Sequence, residues 1–446
     1  TFPSGVTISS GLEESARCMV CHQGRESTTS VNAAIEGMDP DTPNPDLRFR
    51  NIHYFAAAAT LLGSEVHGAY EFAGQRYQTR NEHVPAFDTC AECHNPHSLE
   101  VRVDQCATCH DGVASNEDLH AIRMPGSLVD FDGDGDTTES TFDELEGLQA
   151  LLYSAMQAYA ADVAGAPITY DAARYPYFFG DANANGAVDE GEAGYASWTP
   201  RLMTAAFNFQ AYEKDPGAFA HNAKYYAQIL YDSIASLNEA LPTPVDLAQA
   251  HRNAAGHFDG TAEAFRHWDE EGEVPAACVK CHTSEGLPFL AENGVTIAFE
   301  PSTSLACSTC HTNFEDFALL QTDAVTFPSG AVLSFGEGVA SNLCINCHQG
   351  RESTVSVDAA IAKAGVGDDE VSENLGFRNV HYFVAGATLF GSEAQGIYQY
   401  AGKEYVGRFM HVPAYSTCKD CHDAHVLNVK IQECATCHAG VEEPQS

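Results

Sequence analysis

The sequence predicts a mostly irregular and α-helical protein with few short strands, in which two homologous modules flank a helical middle segment. Three observations predict it. One cysteine-histidine spacing recurs along the chain, a long internal repeat links the two ends, and helical periodicity is concentrated in the middle. The 446 residues are enough for two or three domains.

The cysteines come first because their spacing fixes the chemistry. All 16 cysteines fall in C-x-x-C-H units, with none left over. The units are Cys18, Cys21 and His22; Cys90, Cys93 and His94; Cys106, Cys109 and His110; and Cys278, Cys281 and His282. They continue with Cys307, Cys310 and His311; Cys344, Cys347 and His348; Cys418, Cys421 and His422; and Cys434, Cys437 and His438. This spacing attaches haem covalently. Each thiol adds to one vinyl group, two residues span the porphyrin edge, and the following histidine lies under the iron. Zinc sites and disulfides explain one such unit but not eight that consume every cysteine. The eight histidines are therefore expected as proximal ligands of eight haem c groups.

The repeat organises the rest. CHQGRESTTSVNAAI from Cys21 returns as CHQGRESTVSVDAAI from Cys347, NIHYF as NVHYF, and HVPAFDTCAECHNPH as HVPAYSTCKDCHDAH. TFPSG at Thr1 returns at Thr326. Residues 1–120 and 324–446 are read as two copies of a three-haem module, with a helical two-haem segment over 121–323. Across the copies His53 pairs with His381, His83 with His411, and His97 with His425, whereas His67 pairs with Gln395. Each copy so keeps three spare histidines for three haems, which predicts bis-histidine ligation and leaves His67 out. His97 and His425 follow their proximal histidine by three residues, too close to fold over the same ring, so they are expected to ligate a neighbouring haem. The middle segment has no duplicate to consult; His221 and His257 are preferred as its sixth ligands, with His267 competing and His120 and His251 read as surface histidines. The six methionines are not kept by the repeat (Met19 aligns with Ile345, Met410 with Glu82), so low-potential haems are expected.

Each C-x-x-C-H unit is expected to lead into a short helix. Alternating aromatics at Tyr70, Phe72 and Tyr77 around Gly74, and at Tyr398, Tyr400 and Tyr405 around Gly402, predict a hairpin in each module. AVTFPSGAVLSF predicts a strand entering the second copy. In the middle, ELEGLQALLYSAMQAYAADVA, PRLMTAAFNFQAYEK and AFAHNAKYYAQILYDSIASLNEAL have helical periodicity. Two acidic loops accompany them. DANANGAVDEGE fits a twelve-residue calcium loop, with Asp181, Asn183, Asn185, the Ala187 carbonyl, Asp189 and Glu192 as ligands around a turn at Gly186. VDFDGDGDTTESTFDELEG is rich in ligands but its register is open: Asp130, Asp132, Asp134, Asp136 and Glu144 are the candidates.

Net charge is -40, which argues against nucleic acid as a partner and against docking on anionic lipid. No run of 18 apolar residues occurs, so no membrane-spanning helix is expected. No signal peptide stands at Thr1; an exported protein would have lost its leader.

With its eight C-x-x-C-H units and the CHNPH and CHDAH segments, the chain resembles multihaem c-type cytochromes. The resemblance implies export to the cell surface or beyond, or to the periplasm, because c-type haem is attached outside the cytoplasmic membrane. It also implies haems stacked closely enough to pass electrons in series. Some such proteins, eight-haem ones among them, polymerise into extracellular filaments. The expectation is therefore an electron-transfer protein rather than an enzyme, self-associating head to tail and exchanging electrons with other redox cytochromes or extracellular acceptors. The alternatives are a shuttle that does not polymerise and an octahaem reductase or oxidase with one open iron in the middle segment.

Overall fold

The computed structural model describes residues 1–8, 15–81, 83–84, 87–123, 129–254, 257, 261–302, 305–314 and 316–441. The chain forms two compact units, Thr1–Glu263 and Ala264–Ser446. The first joins the first repeat copy to the long helices; the second joins the Cys278 and Cys307 attachment segments to the second copy.

Three helices build the core of the first unit: α1 (Thr141–Asp162), α2 (Pro200–Glu213) and α3 (Ala218–Asn238). α1 starts where Ser140 accepts a hydrogen bond from the Asp143 amide, and α2 where Thr199 accepts from Leu202 with Pro200 in the first turn. These are the side-chain caps that satisfy otherwise orphaned amides. α2 is buried almost all round, from Leu202 to Tyr212, so it forms the centre on which α1 and α3 pack. Strands β1 (Ile168–Tyr170) and β2 (Phe178–Gly180) pair antiparallel, with Thr169 opposite Phe179, and carry the chain into the 181–192 loop.

The hairpin expected at Tyr70–Tyr77 is not a β-ladder. The chain turns at Gly74, but the helices, not a second strand, satisfy its backbone. Asn208 of α2 accepts from the Tyr70 amide at 2.7 Å and donates to its carbonyl at 3.0 Å. Gln228 of α3 accepts from the Gln78 amide at 2.8 Å. The Tyr77 hydroxyl donates to Asp232 at 2.6 Å, and Arg252 grips the same carboxylate at 2.8 and 2.9 Å. The twin around Gly402 likewise turns without strands.

In the second unit, the expected strand is a two-stranded hairpin, β3 (Val325–Thr326) with β4 (Val332–Leu333). Its turn keeps the geometry of the first copy. Gly330 donates to the Phe327 carbonyl at 2.8 Å as Gly5 does to that of Phe2 at 2.9 Å. A small core of Phe327, Ile345, Ala387 and Phe390 supports the module. The short helices mostly contain the attachment motifs rather than follow them, as in Ala16–His22, Cys90–Cys93, Ser341–Cys347 and Cys418–Cys421. Thr28–Ile35, Gly286–Asn293 and Thr354–Ala364 do follow a motif.

Candidate haem and calcium sites

Cys90–Cys93 and Cys418–Cys421 each form one helical turn opened by a capping box, Thr89 with Glu92 and Thr417 with Asp420. That turn puts both sulfurs on one side and sends the histidine off its end in extended conformation. Four of the motif histidines then make a second bond that fixes the tautomer. A carbonyl can only accept, so an Nδ1 beside one must donate, leaving the Nε2 lone pair for a metal. His22 Nδ1 donates to the Phe55 carbonyl at 2.7 Å, and its twin His348 to that of Phe383 at 2.7 Å. His311 donates to Phe317 at 2.8 Å and His422 to Leu427 at 3.3 Å.

Five of the eight C-x-x-C-H histidines have a second imidazole facing them. His83 faces His110 with ring centroids 6.2 Å apart, and its twin His411 faces His438 at 6.1 Å. His221 faces His94 at 6.3 Å. His381 faces His282 at 6.0 Å, and His425 faces His311 at 6.3 Å. An imidazole centroid lies about 1.2 Å behind its ring nitrogen and a metal–nitrogen bond is about 2.0 Å, so two rings in line across one metal stand about 6.4 Å apart. The residues therefore fit an iron held between two imidazoles. Burial, with the facing histidine, pushes His94 and His83 below the ordinary imidazole range. His282 falls to about 4, through burial first and then His381, His267 and Arg351. These rings are neutral at pH 7, the form that binds metal.

The partners differ from those the repeat suggests. His221 stands opposite His94, not opposite a middle-segment histidine. The middle-segment histidines His282 and His311 are instead faced by His381 and His425 of the second copy. His425 thus lies opposite a proximal histidine other than its neighbour His422. His221 sits at a kink in α3, where Asn222 leaves helical geometry and its side chain donates to the Thr79 carbonyl at 2.8 Å. Behind it, Asp215 stands 2.9 Å from His221 Nδ1. Burial works against a charge on His221, but Asp215 outweighs it and raises its affinity for a proton. His67 bonds Glu71 at 2.7 Å, and His120 is stacked on Phe142 at 4.0 Å. His251 donates to the Asp130 carbonyl at 2.8 Å, bracing the first acidic loop. His257 is exposed, and His267 lies against Trp268 at 3.7 Å.

The attachment segments are close-set. Cys18 lies within hydrogen-bonding reach of Cys90, Cys344 of Cys418, and Cys281 of Cys347. Cys93 is near Cys106, Cys421 near Cys434, and Cys310 near Cys344. Each contact joins the edges at which two different haems would be anchored. Spacing along the sequence carries no trace of this order, because the neighbours are set by tertiary packing.

Of the acidic loops, residues 181–192 turn their expected ligand side chains onto the loop itself, and among the described residues their carboxylates do not gather into a cluster of three. Asp181 accepts from the amides of Asn185 and Gly186 at 3.0 and 2.8 Å, Gly186 has φ +77°, and Glu192 accepts from Ala182 and Asp189 at 3.0 and 2.8 Å. Asp189 receives both Asn183 and Asn185 side-chain amides, at 2.8 and 2.9 Å. In the other loop the carboxylates gather as Asp130, Asp132 and Glu144, and as Asp132, Asp134 and Glu139. Glu139 was not singled out by sequence; Asp136, which was, turns back onto Thr138. Burial, aided by neighbouring carboxylates, pushes Asp132 up to about 6 and Glu139 to about 7.

Comparison with known proteins places these features. The chain is 31% identical over 281 residues to the C-type polyheme cytochrome OmcB of Geobacter sulfurreducens, in strain DL-1/KN400 and in strain ATCC 51573/PCA. It is 30% identical over 276 residues to the C-type polyheme cytochrome OmcC of strain ATCC 51573/PCA. The matches cover 52% and 51% of this chain but only 32% and 31% of those proteins, so the chain spans about a third of the relatives it matches. No family model and no solved structure matches it. Among the described residues no helix is long and apolar enough to cross a membrane. The chain is a relative of multihaem c-type cytochromes.

Proposed function

We propose that this polyhaem cytochrome relative carries electrons through eight covalently attached haems and performs no chemistry on a substrate. The observation that carries the reading is the set of five facing imidazole pairs, each with a C-x-x-C-H histidine on one side. An iron closed on both faces accepts and releases electrons but offers no position to a reactant. The haem supplies the redox chemistry when bound. The protein's own contribution is to hold both imidazoles, fix their tautomers and set the attachment edges of successive haems against one another. Low potentials follow from histidine on both faces.

The finer parts of the reading follow from haem attachment and from the resemblance. The protein is exported, it exchanges electrons with other cytochromes or external acceptors, and copies associate head to tail. Calcium at the two acidic loops of the first unit is structural, fixing the backbone beside α1 and β2. A shuttle that stays monomeric is the second reading; it shares every haem ligand. Two measurements on the haem-loaded chain test the carrier. A pyridine haemochrome assay is expected to give eight haems per chain, and electron paramagnetic resonance at least five low-spin bis-imidazole signals. Fewer than five low-spin haems would overturn it.

A further inference from the structure

The two repeat copies hold their distal histidines alike but use them differently. In the second copy, His381 and His425 face none of that copy's own three motif histidines; they face His282 and His311, of the segment that precedes it. Their twins in the first copy are His53 and His97. Neither has a histidine facing it among the described residues, and both are exposed.

Yet the first copy keeps the ligating geometry. His381 has φ +78° and its amide donates to Asn379 Oδ1 at 2.9 Å; His53 has φ +80° and donates to Asn51 Oδ1 at 2.6 Å. A positive φ is uncommon for a residue other than glycine and needs surroundings that hold it. His425 donates its amide to Asp423 at 2.8 Å ahead of Leu427 at φ +60°; His97 donates to Asn95 at 2.9 Å ahead of Leu99 at φ +63°. Each loop also holds its own module's proximal histidine. Phe55 accepts from His22 and Phe383 from His348. The loop thus grips its own haem on one side and presents a second imidazole on the other. In the second copy that second imidazole faces His282, whose motif partner Cys281 lies against Cys347, where the module's first haem would be anchored.

We infer that His53 and His97 are axial ligands for two c-type haems carried outside residues 1–446, which would continue the haem series beyond the His22 haem. The inference rests on bis-histidine ligation as proposed above. The ligand chemistry is an iron held by one C-x-x-C-H histidine with its other face open. Its source is a second copy of this chain or a different c-type haem segment. The second copy of the repeat offers such irons: among the described residues neither His348 nor His422 is faced by an imidazole, although His94, the twin of His422, is faced by His221.

The test uses the haem-loaded chain and a c-type haem undecapeptide that keeps one axial histidine and an open sixth position. Wild-type protein is expected to convert two equivalents of the peptide from high to low spin beyond the level seen with His53→Ala/His97→Ala. Each single variant is expected to lose one of those two equivalents. Identical titrations for wild type and the double variant would overturn the inference. So would the loss of a low-spin signal from the monomeric variant's own eight haems, since the two histidines would then be ligands within the chain; that outcome leaves the carrier reading intact. Sedimentation separates the sources. Wild-type association that the double variant lacks identifies a second copy; monomers in both, with the peptide result unchanged, identify a different haem segment.

Discussion

Asp215 is the buried carboxylate that stands behind a candidate haem ligand, His221. Its carboxylate is buried, lies 2.9 Å from His221 Nδ1, and is drawn below the usual carboxylate range by His221 and Thr60 despite its burial. A histidine that donates to a carboxylate is a more basic ligand than one that donates to a carbonyl, and it favours the ferric state. His22, His348, His311 and His422 donate instead to carbonyls. The haem between His94 and His221 is therefore expected among the lowest in potential. Asp215→Asn keeps an acceptor but removes the charge. It is expected to raise that one midpoint by tens of millivolts, about 59 mV for each tenfold loss of ferric preference. Potentiometric titration reads this as one-eighth of the absorbance change moving upward. An unshifted titration sinks the assignment of Asp215. His221→Ala is the control, converting the same haem to high spin.

The acidic loops are the elements with an unmet electrostatic demand. Asp132, Glu139 and Glu144 crowd together, and among the described residues Arg123 is the countercharge paired with Glu144, at 2.8 Å. Burial raises all three pKa values, Asp132 to about 6 and Glu139 to about 7. Because the folded form without cation binds more protons than the unfolded chain between about pH 4 and 7, its stability falls as pH rises through that range. A divalent cation reverses the penalty by replacing the protons. Calcium at a hundredfold excess over Kd is expected to add ~2.7 kcal/mol, raising the melting temperature of a unit of this size by about 5–10 °C. The gain is expected to be full at pH 7.5 and to shrink below pH 6, as protons compete for the same oxygens. Differential scanning calorimetry with calcium and with chelator checks it; equal melting temperatures at pH 7.5 count against both loops. These elements also mark how far the sequence could be read. For the 181–192 loop the sequence offers one register, because each expected ligand sits at a fixed offset from Gly186. In the other loop Glu144 was among the candidates but Glu139 was not, because Glu139 joins the cluster only through the approach of the chain to α1 in three dimensions. The Tyr70–Tyr77 alternation misled for a similar reason: Asn208 and Gln228, far away in sequence, took the backbone bonds a second strand would have made. The C-x-x-C-H units stand out in the sequence because covalent haem attachment demands that spacing. The partners of His282 and His311 do not, because they come from a different module.

At the scale of the whole molecule, the net charge of -40 sets the terms on which copies can meet. A heterologous contact that places His53 and His97 of one copy near haems of the next brings two strongly acidic chains together, and open head-to-tail geometry extends rather than closes. Long-range repulsion opposes the encounter, while the coordinate bonds are short-range and indifferent to salt. Raising ionic strength from 0.01 to 0.15 M shortens the screening length from ~30 Å to ~8 Å, which removes most of the repulsion without weakening the ligation. Association is thus expected to strengthen with added sodium chloride, the reverse of what complementary charged surfaces give. Calcium is expected to add to this by lowering the charge of the first unit at its two loops. Electron microscopy of the native protein at 0.15 M salt and millimolar calcium is expected to show filaments with a repeat of one subunit, and fewer, shorter ones at 0.01 M salt or with chelator. Filaments that dissolve on adding salt would place charge pairing, not haem ligation, at the contact. Single particles under every condition would leave the chain a carrier that hands its electrons to a different cytochrome.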